Sequence, residues 1–467
     1  MRFLNRAACV SWILVLGLIS AIPLRAEWKA GAAAVNITPQ QPLWMAGYGG
    51  RDHVAEGKLT ELWAKALVLE DGQGQRGVII TLDLVGLDRS FSQSICTALH
   101  EVHCLSRNQI AICVSHTHSG PVVGRNLSPI HYLRVDPQQQ VEIDQYLESL
   151  RDKVVEVVGQ AIGKLAPSHL SWGNSTASFA VNRRNNKEAD VPQLRTEGAL
   201  VGPCDHDVPV LAVHDAEGQL DAVLFGYACH ATVLSSYQWC GDYPGYATAD
   251  LEAHHPGCVA LFWAGCGGDQ NPLPRRTVEL AQHYGRQLAA AVDAALLTAR
   301  LRPVADTLRT SFREVDLRFA ALPTREALQT ESQSREKPLA ARAQLLLETI
   351  DAGGTLSPTY PYPIGCWRIG EEISFVILGG EVVVDFALRL KAQMSGAKTW
   401  VAGYANDVMA YIPSRRVLLE GRYEGADAMV YYGLPSPWAE DVEETIVNAV
   451  AEDLARLMPS EPAPATP

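Results

Sequence analysis

Three histidines and a glutamate follow apolar runs of this sequence, and together they could bind a metal ion. The pair His116 and His118 follows "QIAICVS", His230 follows "VLFGYAC" and Glu381 follows "FVILGG". Two histidines and a glutamate are a common ligand set for catalytic zinc, and they leave one position for water. Zinc lowers the pKa of that water and polarises a carbonyl, so the set suits hydrolysis of an amide or ester.

Each of these residues is ordinary by itself, and only their convergence supports a metal site. A His-x-His pair occurs by chance, a histidine at a strand end is commonly a hydrogen-bonded structural residue, and an isolated glutamate is usually solvated. Glu381 differs because it lies within "VILGGEVVVDF", where a buried acid needs a partner or a metal. A fourth apolar run is followed by Asp407 and Tyr411. The metal hypothesis therefore requires these four runs to be neighbouring strands.

Short apolar runs predict the strands that must position these side chains. They are rich in valine, isoleucine and phenylalanine and show little alternation, as expected for strands covered on both faces. Amphipathic patterns predict helices over 141–165, 277–300 and 438–458. We therefore expect an α/β fold with a buried, mixed or parallel sheet flanked by helices, and ligands at the carboxyl ends of strands. The apolar runs are 77–87, 108–115, 222–229, 258–265, 373–380 and 399–406.

No linker divides the chain, so we expect one large domain over residues 27–458. The charged helical stretch 324–351 is expected to form an inserted hairpin or to support a lid. The proline- and tyrosine-rich segment 353–367 is expected to be a structured loop, with a role in walling a substrate cleft as the alternative. Residues 459–467, "PSEPAPATP", have the composition of a disordered tail.

Residues 1–26 have the pattern of a secretory signal peptide. A basic start, "MRFLNR", precedes the apolar run "AACVSWILVLGLISAIPL". The small residue Ala26 would allow a signal peptidase to cleave before Glu27. An uncleaved membrane anchor is the alternative, because the run is about long enough to span a bilayer. We therefore expect a secreted or periplasmic protein, which is compatible with peripheral contact at a membrane surface.

Charge and cysteine content restrict the remaining classes. The net charge is −13, which would repel the phosphates of a nucleic acid. No Cys-x-x-Cys spacing occurs, so a cysteine zinc site is disfavoured. Cys204 and Cys240 lie in predicted loops and are the more plausible disulfide partners. Four other cysteines lie in apolar runs and are expected in the core: Cys113, Cys229, Cys258 and Cys266.

Dispersed blocks over residues 30–435 resemble the N-terminal catalytic domain of the neutral/alkaline non-lysosomal ceramidases. In the family's order they are "MAGYGG", "ITLDLVGL", "SHTHSGP", "FAVNRR", "ACHATVL", "GDYPGYATADLE", "GGDQNP", "GGE" and "AYIPSRRVLLEGRYEGADAMVYYG". The most specific parts are the histidine block and the pair Tyr411 and Tyr423. The resemblance covers the catalytic domain only, and no counterpart of the family's C-terminal β-sandwich domain is expected in this sequence.

The resemblance implies one zinc ion with four protein ligands. These would be His116, His230, Glu381 and Tyr411. Tyrosine is an uncommon zinc ligand, so the assignment of Tyr411 depends on the resemblance and not on general metal chemistry.

The resemblance also implies residues that assist the metal. His118 would lie beside it and orient water or substrate. Arg183 and Tyr423 would face the scissile carbonyl and stabilise developing negative charge. By residue type alone, Arg183 would be a surface charge and Tyr423 a half-buried anchor. Three aspartates are further candidates, as acceptors that fix the imidazole tautomers: Asp83, Asp242 and Asp407.

One position departs from the family pattern. The ceramidases carry a catalytic serine in a Gly-Asp-x-Ser-Pro-like segment, and the matching segment here has Asn271 at that place. Asparagine cannot act as that nucleophile. We therefore expect a metal-activated water to attack, with His118 handling protons and Asn271 donating a hydrogen bond.

The predicted function is that of an exported zinc-dependent hydrolase that cleaves the N-acyl amide bond of a small-molecule or lipid substrate. One alternative is a ceramidase-like binding protein that has lost catalysis, as the missing serine suggests. Another is an amidohydrolase-type metal barrel, which also opens with His-x-His after a strand. That barrel usually carries the pair on its first strand, whereas the run 77–87 precedes it here. The exact substrate and the oligomeric state do not follow from the sequence.

Overall fold

The computed structural model describes residues 28–297 and 301–458. The predicted signal peptide, 1–26, and the predicted tail, 459–467, lie outside the described residues. Within the two described ranges, every helix is too short or too polar to span a bilayer.

Strands form the centre of the molecule, and helices pack on its two outer faces. The strands are β1 Trp28–Asn36, β2 Gly57–Lys58, β3 Trp63–Glu70, β4 Arg76–Leu82, β5 Ile110–Val114, β6 Ala166–Thr176, β7 Ala180–Asn182, β8 Asp207–Asp215, β9 Leu220–Tyr227, β10 Gln238–Trp239, β11 Val259–Ala264, β12 Gln270–Pro272, β13 Arg302–Pro303, β14 Leu308–Arg318, β15 Thr359–Ile369, β16 Ile373–Leu378, β17 Glu381–Val382, β18 Thr399–Ala402 and β19 Tyr411–Ile412. The α-helices are α1 Arg89–His103, α2 Pro137–Gly163, α3 Val191–Glu197, α4 Asp242–His254, α5 Val278–Leu297, α6 Arg325–Glu331, α7 Lys337–Asp351, α8 Val384–Gln393, α9 Arg415–Glu420, α10 Arg422–Gly425 and α11 Val442–Arg456.

The larger sheet is mixed and open. Its strand order is β11-β9-β8-β6-β1-β3-β4-β5, with β13 paired to β6. The β4–β5 and β9–β11 pairs are parallel, whereas the strands between them pair antiparallel. Because the strand order begins at β11 and ends at β5 without closing, the alternative prediction of an amidohydrolase-type barrel is wrong.

The sequence of β4 explains why this sheet is covered on both faces. Val78 and Ile80 pack in one core with Leu99 of α1 and Val154 of α2. The intervening Ile79 faces the other way, into a separate core. Side chains alternate across a strand, so a strand between two layers needs an apolar residue at every position.

A second sheet, with strand order β14-β15-β16-β18, covers that other face. Phe375 of β16 shares the core that contains Ile79. The next residue, Val376, packs on the far side with Phe386 of α8 and Ile446 of α11. The molecule therefore has four layers, with helices outside two stacked sheets. This arrangement confirms the predicted α/β class and adds a second sheet to it.

The predicted elements are largely confirmed. The six apolar runs correspond to β4, β5, β9, β11, β16 and β18, and the three amphipathic patterns correspond to α2, α5 and α11. The charged stretch 324–351 forms α6 and α7, which pack together as the predicted hairpin.

The prediction that 353–367 is a loop is wrong, because most of it belongs to β15. This strand pairs along its whole length with β14, but with β16 only from Ile364 onward. Pro361 and Pro363 therefore lie where the strand has a neighbour on one side only, and a proline is tolerated there because it has no N–H to donate.

The predicted disulfide between Cys204 and Cys240 is also wrong, since both are free thiols. Cys240 is buried in the core beneath the larger sheet, whereas Cys204 lies in a partly exposed loop. The expectation for the four core cysteines is confirmed, because all four are buried.

The core between the sheets gives a first prediction. Phe375 is fully buried, with its ring centroid 5.3 Å from that of Trp263 and 6.3 Å from that of Trp400. Phe375→Ala should lower the free energy of unfolding by roughly 3–5 kcal/mol, because it leaves a cavity between two rigid layers. Urea denaturation would measure this. Val102→Ala, at an exposed position of α1, should change it by less than about 0.5 kcal/mol. Equal, small losses in both variants would contradict the stacked-sheet core.

Candidate metal and catalytic site

The four predicted ligands lie at strand ends, at the junction of the two sheets. His116 follows β5 and His230 follows β9, both strands of the larger sheet. Glu381 begins β17 and Tyr411 begins β19, and these two residues are direct partners in a parallel pair. Residues from widely separated parts of the chain therefore meet at one place.

The segment 267–271 holds these strand ends together. The carbonyl oxygen of Gly267 accepts a hydrogen bond from Nδ1 of His230 at 2.6 Å. A Cβ at Gly268 would lie 2.6 Å from the carbonyl oxygen of Glu381, closer than a real Cβ can approach. Only glycine allows the backbone to pass at this distance.

Nitrogen and oxygen atoms of the four side chains converge on one buried point. Nε2 of His116 and Nε2 of His230 lie 3.3 Å and 3.0 Å from Oε2 of Glu381. The hydroxyl of Tyr411 lies 3.3 Å from Nε2 of His230. None of the four residues is more than 4% exposed, so they meet away from bulk solvent.

Backbone carbonyls determine which nitrogen of each ring carries the hydrogen. Nδ1 of His116 lies 2.5 Å from the carbonyl oxygen of Val85, and Nδ1 of His230 faces that of Gly267. A carbonyl oxygen can only accept, so each Nδ1 must donate. In the neutral ring Nε2 then carries a lone pair, and both lone pairs are directed at Glu381.

The charge states make this convergence repulsive. Burial and the neighbouring Arg183 lower the pKa of His230 to about 4, so its ring is neutral near pH 7. When both rings are neutral, two Nε2 lone pairs and an oxygen of Glu381 face one another without a hydrogen between them. A bound cation would remove this repulsion, and the donor atoms are those that zinc accepts.

His118 extends the cluster on one side. Its Nε2 lies 3.1 Å from Nε2 of His116, and the nitrogens of the three histidines are all within 4.8 Å of one another. Nδ1 of His118 is buried and has no hydrogen-bond partner. The ring is backed by Gly47, where a Cβ would lie 2.4 Å from Cγ of His118. The three histidines could therefore hold a metal ion, and His118 keeps a free nitrogen.

Arg183 reaches into the cluster from the turn after β7. Its guanidinium donates to the hydroxyl of Tyr411 at 3.0 Å and to Oδ1 of Asn271 at 3.3 Å. Nε donates to Glu424 at 2.8 Å, which fixes the plane of the guanidinium. Arg183 is therefore not the surface charge that its residue type alone would predict.

Tyr423 and Asn271 complete the predicted set. The ring of Tyr423 is 43% exposed, and its centroid lies 5.3 Å from that of Tyr411. Asn271 is buried, and the β7–β12 pairing places it against Arg183. The structure therefore brings every predicted site residue into one cluster.

Three residues of this cluster were not predicted from the sequence. The hydroxyl of Tyr432 donates to Oε1 of Glu381, the hydroxyl of Tyr404 lies 3.3 Å from Nδ1 of His230, and Glu424 binds Arg183. Tyr432 and Glu424 belong to the block "GRYEGADAMVYYG", so the family resemblance was the available signal. Tyr404 lies within an apolar run, where nothing distinguishes it from a core aromatic.

The prediction that Asp83, Asp242 and Asp407 fix the imidazole tautomers is wrong, because backbone carbonyls do so. Asp83 and Asp242 accept backbone N–H groups, and Asp407 accepts a tyrosine hydroxyl. Burial raises the pKa of the first two carboxyls to about 6 and that of Asp407 to about 7. These aspartates tie loops and strands together around the site.

Comparison with known proteins identifies relatives of this chain. Residues 28–270, more than half of the sequence, match the family described as neutral/alkaline non-lysosomal ceramidase, N-terminal. The neutral ceramidase of Drosophila melanogaster is 25% identical over 276 residues, which cover 55% of this chain and 37% of the fly protein. The match therefore spans well under half the length of that relative.

Solved structures share the fold. A crystal structure of neutral ceramidase from Pseudomonas aeruginosa matches with a TM-score of 0.71 and 20% identity, over 95% of this chain and 76% of that chain. A structure described as ceramidase complexed with C2 matches with a TM-score of 0.71 and 19% identity, over 95% and 77% of the two chains. By the match over residues 28–270, this chain belongs to the neutral/alkaline non-lysosomal ceramidase family.

Proposed function

We propose that this protein is a zinc-dependent hydrolase that cleaves an N-acyl amide bond. The observation that carries the proposal is the meeting of two imidazole lone pairs and a carboxylate at one buried point, which a divalent cation would neutralise. The proposed ligands are His116, His230, Glu381 and Tyr411. Membership of the ceramidase family supports an amide as the bond that is cleaved.

Arg183 is proposed to bind the negative charge that develops on the amide oxygen. Zinc, when bound, would polarise the carbonyl and lower the pKa of a water molecule. Arg183 already donates to Tyr411 and is held rigid by Glu424, so it needs no reorganisation to meet an oxyanion. Tyr423, on the open side of Tyr411, is placed to donate a second hydrogen bond to the same oxygen.

His118 is proposed to accept a proton from the attacking water and to donate it to the leaving amine. Burial, followed by the nearby His116 and His230, lowers the pKa of His118 well below its usual value, so the ring is neutral and able to accept. Asn271 has no ionisable hydroxyl, and its carbonyl already accepts from Arg183. Water is therefore the nucleophile that the site offers, with Asn271 holding Arg183 in place.

Ceramide itself is one proposed substrate, because the relatives named above are ceramidases. More generally, the proposed substrate is a lipid or a small N-acyl compound. We also propose that the protein contacts a membrane surface, where it would reach a lipid substrate.

A catalytically silent binding protein is the second candidate, and Asn271 in place of the family's serine favours it. Stoichiometric zinc without turnover of any N-acyl or ester substrate would support binding alone. Hydrolysis of N-acylsphingosine or a simpler amide that stops with chelator and returns with zinc would support the hydrolase.

The ligand assignment predicts that Glu381→Ala loses zinc. Removal of the carboxylate takes away the charged ligand at the point where Nε2 of His116 and Nε2 of His230 converge, which weakens binding of the cation. Elemental analysis after gel filtration should find far less than one zinc per chain, with amide hydrolysis abolished. Glu444→Ala, on the exposed face of α11, is the matched control and should retain both. An E381A protein with full zinc and full activity would refute the assignment.

The proton-transfer role predicts a different outcome for His118→Ala. We expect zinc to stay bound while kcat falls roughly 10²–10⁴-fold, the usual contribution of a general base. Zinc content and kcat measured on the same preparation separate the two roles. Loss of zinc together with activity would instead make His118 a ligand.

We also propose export, since residues 1–26 have the signal pattern. Expression of the full chain in a bacterial host, followed by intact-mass analysis, should give a mature protein that begins at Glu27. A full-length chain in the membrane fraction would favour the anchor instead.

A further inference from the structure

A cavity of about 700 Å³ opens directly onto the cluster. Arg183, Asn271 and Tyr423 of the cluster line it, and Arg183 connects it to Tyr411 and His230. Its volume is that of a site for a small ligand or for one half of a larger one. The group next to the reacting bond would therefore lie in this cavity.

The charge of this cavity is opposite to that of the whole chain. The chain has a net charge of −13. The cavity is lined by five cationic residues and only two carboxylates, Glu188 and Glu424. The five cations are Arg183, Arg184, Lys187, Arg275 and Arg422.

Three of the five cations are neutralised inside the protein. Arg183 and Arg184 both pair with Glu424, and Arg275 pairs with Glu188. These pairs shape the wall, and apart from the role proposed for Arg183 at the amide oxygen they leave little charge for the rest of a ligand.

The other two, Lys187 and Arg422, are available. Neither forms an ion pair or side-chain hydrogen bond with any residue in the described ranges, and both are exposed at the cavity. An ammonium and a guanidinium in one concave site match the oxygens of a carboxylate or a phosphate.

The lining also indicates which half of the substrate enters. Leu273 is the one aliphatic side chain that lines the cavity among the described residues, and Tyr423 is the one aromatic. The apolar surface of the cavity comes from these two side chains and from the carbon stems of polar ones, so an acyl chain would lie directly beside the charged groups. The cavity therefore suits the amine half of an amide.

We propose that the substrate is an amide whose amine half carries an anionic group, bound by Lys187 and Arg422. This inference rests on the proposed amide hydrolysis and narrows its substrate class to anionic amides, in place of ceramide, whose amine half is uncharged. An N-acyl amino acid would supply a carboxylate, and an N-acyl phosphoamine would supply a phosphate.

Three matched amides test the proposal on the zinc-loaded enzyme: N-dodecanoylglycine, N-dodecanoyl-O-phosphoethanolamine and N-dodecanoylethanolamine. At low ionic strength, kcat/KM for at least one anionic amide should exceed that for the neutral amide by about tenfold or more. Added salt should reduce the difference, because the two cations are exposed to solvent. The better of the two anionic amides identifies the source of the charge. Equal or better hydrolysis of the neutral amide would overturn the inference while the proposed function stands.

Variants assign the effect to the two cations. Lys187→Met and Arg422→Met should each raise KM for the anionic amide about tenfold and leave kcat and the neutral amide unchanged. Lys398→Met, before the start of β18, is the matched control and should change neither. Equal losses on both amides would contradict a charge-specific role.

Binding separates failure of the inference from failure of the proposed function. If no amide is cleaved, calorimetry with N-dodecanoylglycine, N-dodecanoyl-O-phosphoethanolamine and N-dodecanoylethanolamine still decides the inference. Tighter binding of an anionic compound, lost in the Lys187→Met and Arg422→Met proteins, would support it. Equal affinities for all three would refute it.

Discussion

One backbone constraint underlies this site: the segment 267–271 passes between the two sheets at a distance that only glycine permits. Its first carbonyl orients His230, its second N–H binds the carbonyl of Val382 beside Glu381, and its third carbonyl accepts from the N–H of Arg183. A short rigid segment thus sets the separation of an imidazole, a carboxylate and a guanidinium. A side chain at Gly267 or Gly268 would push apart the strand ends that must meet here. The same backbone contacts therefore determine both the packing of the strands and the geometry of the site.

Charge is distributed unevenly between the buried ligand cluster, the cavity beside it and the rest of the chain. The buried cluster concentrates lone pairs and one carboxylate, which favours a cation. The cavity outside it carries an excess of positive side chains, although the chain as a whole is strongly acidic. Salt at physiological strength screens exposed charges beyond about 8 Å, so the distant acidic surface has little influence within the cavity. Local cations, and not the net charge, therefore govern which ligands approach the site.

Apolar runs predicted the central strands and, through them, the place of the site. They succeeded because a strand between two layers must be apolar at every position, which leaves a continuous apolar run in the sequence. They could not separate one sheet from two, since both produce the same runs. The loop prediction for 353–367 failed because proline penalises a strand only where both neighbours pair. The aspartates were misassigned because the acceptors for the imidazoles are main-chain carbonyls, which leave no trace in residue type. Arg183 and Tyr411 came from the family resemblance alone.

The division of the ligands between the two halves of the chain has a consequence for the order of folding. His116 and His230 belong to the first half of the chain, whereas Glu381 and Tyr411 belong to the second, and His230 and Glu381 have a sequence separation of 151. Contacts so far apart in sequence are closed late, because the intervening chain must lose its entropy first. The cluster can therefore form only after the two halves of the chain have packed together. The ligand set is complete in the folded molecule and incomplete in either half of the chain alone.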